Sequence, residues 1–155
     1  MKVTNVLCPV DFSSSSDAAL FFASSLAKEH GAELHIVHVY EEPFAYTDLS
    51  AYVPPADMGP AKDRLERTLP TSEVPFRHRF IVGNPGDKLV DYAKQNDVDL
   101  IVLGTHGRTG LNRMLMGSVA EEVVRRATCP VLTIRHPRKK ERENLRNNAV
   151  SAAAN

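Results

Sequence analysis

The sequence predicts an α/β domain built on an open parallel sheet with helices on both faces. Three observations carry this: five short apolar runs rich in β-branched residues, segments of helical period between them, and a glycine-rich turn after the fourth run. The runs are residues 3–10, 33–40, 76–82, 100–104 and 131–135. With 155 residues the chain forms one compact domain rather than two. Short connections and right-handed crossovers then leave few topologies for strands and helices in strict alternation.

The first helix is expected over residues 17–30, where Ala18, Phe21, Phe22, Ser25 and Leu26 recur at helical spacing. Serines 13 to 16 can cap it by accepting free N–H groups, and Gly31 supplies the stop. A weaker second helix is expected over residues 61–69, after a proline-rich and aromatic stretch, residues 43–60, that reads as a loop. The third is announced by Asn84-Pro85-Gly86-Asp87, which offers a capping side chain, a first-turn proline and an acid near the positive helix end; it runs to about Asn96. The last follows Gly117 and continues to about Ala127, with Val119, Val123 and Val124 as its apolar stripe. Residues 136–155 carry five basic residues, two acids and then small side chains, too little apolar surface to offset ordering, so a disordered basic tail is expected beyond a domain of residues 1–135.

Composition narrows the function classes. Apolar residues at 43% and charged residues at 25% are those of a globular protein, and nineteen basic residues balance nineteen acidic ones. No bulk attraction to nucleic acid or to an anionic membrane follows, so any polyanion must be met locally. No apolar run reaches bilayer length, and the first residues enter a strand-like segment without a secretory leader, so no membrane insertion and a cytoplasmic location are expected. Cys8 and Cys129 lack metal-ligand spacing and read as reduced, buried thiols.

The densest chemical signal spans residues 100–122. A buried strand opens into Gly104, Gly107 and Gly110, crosses a loop with Arg108 and Arg113, and enters a helix at Gly117-Ser118. This is an anion cradle: glycines let backbone approach phosphate oxygens, and the unpaired N–H groups of a helix start carry the positive end of its dipole. The arginines can add charge-assisted contacts. Ser118-Val119-Ala120-Glu121 also reads as a capping box, which needs no ligand. The segment lacks the Gly-Lys-Ser/Thr of a Walker A loop, and no dinucleotide fingerprint follows the first strand.

Gly104-x2-Gly107-x9-Gly117-Ser118 resembles the pattern of the ATP-binding branch of the universal stress proteins. Leu7-Cys8-Pro9-Val10-Asp11-Phe12-Ser13 is similar to that family's first strand end, residues 34–39 to its second strand, and residues 129–134 to its closing strand. The resemblance implies a Rossmann-like, adenine nucleotide alpha hydrolase-like sheet of order 3-2-1-4-5, with a ligand where the order reverses. It implies ATP, with Mg2+ or Mn2+ held mainly by the phosphates. Pro9, Val10 and Val39 would line an adenine slot, Asp11 would reach adenine or ribose, and Gly104 would lie against the ribose. Gly107, Gly117, Ser118 and Val119 would hold the phosphates, with Leu103, His106, Arg108 and Arg113 beside the nucleotide. Asp11 could equally cap the next turn, and His106 could simply pack its loop. One departure is the short second helix, where the family usually has a longer one.

A nucleotide-dependent regulator or sensor of stress is the reading favoured. The alternatives are a slow ATPase, for which no general base is placed by sequence, and a structural dimer that binds no nucleotide. The fifth run, residues 131–135, would be a sheet edge, and the resemblance implies a homodimer through it.

Overall fold

The computed structural model describes residues 2–41, 57–105 and 116–135. The chain alternates β1 (Asn5–Pro9), α1 (Ser14–His30), β2 (Glu33–Tyr40), α2 (Gly59–Glu66), β3 (Phe76–Val82), α3 (Pro85–Gln95), β4 (Leu100–Gly104), α4 (Ser118–Arg126) and β5 (Val131–Ile134). All neighbouring strands pair in parallel, in the order β3-β2-β1-β4-β5. The expected open sheet is therefore present, and β5 is one of its edges.

Successive strand residues point to opposite faces, which gives two cores. Val6, Cys8, Leu34, Ile36 and Val102 pack with Leu20, Ala23 and Ala27 of α1 and Leu65 of α2. Leu7, Val37, Ile101 and Leu103 pack with Leu89, Tyr92 and Ala93 of α3 and Ala120 and Val123 of α4. Strands covered on both faces read as near-continuous apolar runs, which is why they were visible in the sequence.

Local chemistry sets the helix ends. Ser13 accepts the Ser16 N–H at 3.2 Å as the cap of α1, and Gly31 ends it in the left-handed region at φ 64°. Asn84 accepts the Asp87 N–H at 3.1 Å and Pro85 opens α3, as expected. At the foot of the sheet Asp99 joins β1 to β4: its Oδ2 accepts from the Thr4 N–H at 2.7 Å, the Thr4 hydroxyl at 2.8 Å and the Asn5 N–H at 3.0 Å. Those bonds, the Thr4 N–H foremost, hold its carboxyl below the usual aspartate range.

Three expectations are corrected. The face of α1 turned to the sheet is Ser15, Ser16, Ala19, Leu20, Ala23, Ser24 and Ala27, while Phe21 and Phe22 are 55% and 47% exposed. The second helix begins two residues earlier, at Gly59, and ends at Glu66. In α4 the buried positions are Ala120 and Val123, and Val124 is exposed. Cys8 and Cys129 are both free; Cys8 is buried, its thiol pushed up by that burial, while Cys129 is only half-buried. The 43–60 stretch lies outside the described residues up to position 56, as does the 136–155 tail.

His35 of β2 is buried, its Nδ1 3.1 Å from the Tyr92 hydroxyl, and its Nε2 has no hydrogen-bond partner. Glu33 Oε2 lies 3.7 Å from that Nε2, and Arg77 is itself bonded to Glu33. Burial first, then the Arg77 charge, lowers the His35 pKa against the pull of Glu33. A histidine held neutral in the fold takes up a proton more readily when unfolded, so its contribution is complete above about pH 6.5 and is lost as pH falls below that. Urea titrations at pH 7.5 and 5.5 should show wild type losing more stability than His35→Gln; parallel losses would exclude His35 as the source.

Candidate functional site

The strand order reverses between β1 and β4, and the carboxyl ends of these strands part there. A cleft of about 510 Å3 opens at this point. Its first wall is the turn after β1. The Val10 N–H donates to the Val37 carbonyl at 2.8 Å, and Asp11 Oδ1 accepts from the Ser13 N–H at 3.0 Å and the Ser13 hydroxyl at 2.6 Å. Between them Phe12 sits at φ 65°, a left-handed conformation that a bulky residue keeps only when its surroundings hold it. Here they do: Arg64 of α2 donates to the Phe12 carbonyl at 3.2 Å and stacks 4.7 Å over its ring, whose other neighbour is the His38 ring at 4.5 Å.

The second wall comes from β4 and α4. The Thr105 N–H donates to the Ile134 carbonyl at 3.0 Å, and the Gly117 N–H donates to the Thr105 carbonyl at 2.7 Å. Residues 105 and 117 are thereby tied together at the cleft mouth. Gly117 is the N-cap of α4 at φ −63°, ψ 151°, and no side chain among the described residues caps this helix. That overturns the capping-box explanation of Ser118, which is the first residue of α4 and not its cap. Those angles suit any L residue, so backbone freedom does not account for glycine at 117. What distinguishes the position is that the uncapped amides of α4, with their partial positive charge, begin at the cleft.

The start of α3 closes the remaining side with Pro85 and Leu89. It is held to α4 by Arg126, which bonds Asp87 at 2.6 Å and also Glu122. A side chain at Gly86 would meet the carboxyl end of the Glu122 side chain, which would have to move aside.

Of the residues singled out from sequence, Pro9, Val10, Asp11, Val39, Leu103, Gly104, Gly117, Ser118 and Val119 all line this cleft. His106, Gly107, Arg108 and Arg113 lie outside the described residues. Both readings of Asp11 coexist, since its Oδ1 orders the turn into α1 while the residue also borders the cleft. At Gly104 packing by itself demands glycine: a Cβ there would lie 2.8 Å from the Ser15 backbone, in the first turn of α1. Sequence reasoning missed Ser16, Val37, His38, Tyr40, Glu41, Pro85, Leu89 and Ala120. Tyr40 and Glu41 could have been found from the general rule, because they stand at the carboxyl end of a strand beside the reversal.

These features define an open α/β domain with a cleft where its strand order reverses, lined by the start of α4 and by Val10 and Val39. Comparison with known proteins agrees: residues 2–135 match the model of the universal stress protein family. A universal stress protein of Methanocaldococcus jannaschii is 33% identical over 141 residues, covering 86% of this chain and 83% of that protein. Among solved structures, UspA from Lactobacillus plantarum is 34% identical, with TM-score 0.69 over 87% of this chain and 99% of that one. The universal stress protein from Archaeoglobus fulgidus in complex with dAMP is 26% identical, with TM-score 0.65 over 86% and 99%. The chain belongs to the universal stress protein family.

Replacing Gly104 by valine would drive a side chain into the Ser15 backbone, an overpacking that costs about 1–3 kcal/mol. Chemical denaturation of Gly104→Val should show that loss; a wild-type midpoint would mean α1 does not pack as described.

Proposed function

We propose that this protein binds an adenine nucleotide, ATP in the first place, in the cleft between β1 and β4, and acts as a nucleotide-dependent regulator or sensor in a stress response. The observation that carries this reading is the start of α4: a helix with no side-chain cap among the described residues, opening on a cleft that Val39 and Leu103 also line. Phosphates fit the first and an adenine ring the second. The complex of the Archaeoglobus fulgidus relative with dAMP supports the same ligand class. Gly117, Ser118 and Val119 hold phosphates, joined by Gly107, Arg108, Arg113 and His106 from the intervening segment; Pro9, Val10, Val39 and Leu103 flank adenine; Asp11 and Gly104 meet the ribose. Any Mg2+ or Mn2+ arrives on the phosphates. Turnover is not part of the proposal, since hydrolysis needs a placed base, and the Asp11 carboxylate is engaged by Ser13.

The same reading assigns nucleotide binding to residues 1–135, leaves 136–155 as a basic tail, and places the protein in the cytoplasm. Among the described residues no helix is long and apolar enough to cross a membrane. The β5 edge is offered to a second copy in a two-fold dimer: its backbone has a strand neighbour on one side only, and Leu132 is 38% exposed.

Mass spectrometry of small molecules released from the purified protein on denaturation should find an adenine nucleotide. In calorimetry wild type should bind ATP and Gly117→Val should not, while keeping the wild-type circular dichroism; equal affinity of the two would remove the phosphate assignment. Light scattering at micromolar concentration should give the mass of two chains, and a monomer would refute the edge pairing.

A further inference from the structure

His38 lies in β2, one residue from the proposed adenine slot, and only 4% of it is exposed. Its Nδ1 is 2.7 Å from the Val10 carbonyl oxygen. A carbonyl can only accept, so Nδ1 carries the proton and donates. The ring packs between Phe12 at 4.5 Å and Phe80 of β3 at 5.6 Å, which fixes its plane. Val10 itself is buried, and its N–H is already given to Val37. With its carbonyl taken by His38, both polar groups of the Val10 backbone are satisfied by protein; its side chain belongs to the buried core that includes Ala19 and Leu20 of α1, and the residue borders the cleft.

The peptide that bears this carbonyl is the one that leads into Asp11. Without the donor, a buried carbonyl would be left unpaired, a penalty that rotation of the peptide would relieve. Such a rotation carries the Asp11 N–H and the whole turn with it. Arg64 and the strained Phe12 brace the turn from outside, but neither touches the Val10 oxygen.

We propose that His38 is the positioning residue of the nucleoside half of the cleft: its Nδ1–H holds the Val10–Asp11 peptide in the orientation that keeps the slot apolar and aims Asp11 at the ligand. This rests on the nucleotide reading above. It concerns the nucleoside end alone, because the start of α4, where phosphates would sit, is held by Thr105 and not by His38.

Three variants separate the donor from the ring. His38→Phe keeps the stacking and removes the donor; His38→Asn keeps a donor near the Nδ1 position; His38→Leu has a similar shape to Asn and none. Calorimetry of the full chain with ATP and with inorganic tripolyphosphate is the readout. The Phe and Leu variants should bind ATP about tenfold more weakly than wild type and Asn within about threefold, and all four proteins should bind tripolyphosphate alike. Wild-type ATP affinity in Phe or Leu would overturn the proposal, as would parallel losses of ATP and tripolyphosphate, which mark general damage. Should Phe not fold, the contrast of Asn with Leu decides the matter. A wild type that binds tripolyphosphate but neither ATP nor adenosine would instead refute the nucleoside reading of the cleft, and this inference with it.

Discussion

The contact on which the site depends is the first turn of α1 against β4. Ser15 lies so close to Gly104 that no side chain fits between them. This brings the segment leaving β1 across the top of β4, so that the turn through Val10, Asp11 and Phe12 stands beside the end of the neighbouring strand. Were α1 held off by a single methyl group, that turn would shift and the cleft would lose a wall. The glycine thus acts on the ligand space indirectly, through packing.

Small side chains carry out the same task along the rest of α1. Ala19, Ala23, Ala27 and Ser24 face the sheet, and the larger Phe21 and Phe22 stay outside. Hydropathy ranks the phenylalanines first, so a periodicity count selects the flank that contains them. The constraint that wins is distance: a helix seated close to a sheet needs alanine and serine at the contact, and Ser24 can point inward because its hydroxyl donates to the Leu20 carbonyl at 2.7 Å. The strands were legible for the opposite reason. β1, β2 and β4 are buried along most of their length, so little but burial dictates their residues, whereas β3 has no buried residue and exposes Arg77 and Arg79.

The site was legible where the chain itself is continuous and obscure where it is not. Gly117-Ser118 and Pro9-Val10-Asp11 are local signatures that end strands or begin helices, and they meet in one cleft. His38, Pro85 and Leu89 reach the same place from elements far away in sequence, and no local pattern ties them to it. The displaced cap of α4 is a subtler case. Serine, three residues before glutamate, fits a capping box, yet Gly117 already occupies the cap position and has no side chain with which to cap.

The bond between Thr105 and Gly117 has a bearing on how relatives with this architecture can diverge. It fixes both feet of the intervening segment, one continuing β4 and the other starting α4. A segment anchored in this way can change length with little penalty, since closure entropy grows by only about 0.6 kcal/mol per doubling. Insertions or deletions at that point leave sheet register and helix placement untouched. The frame of sheet and helices can therefore remain as it is while a single span of chain changes.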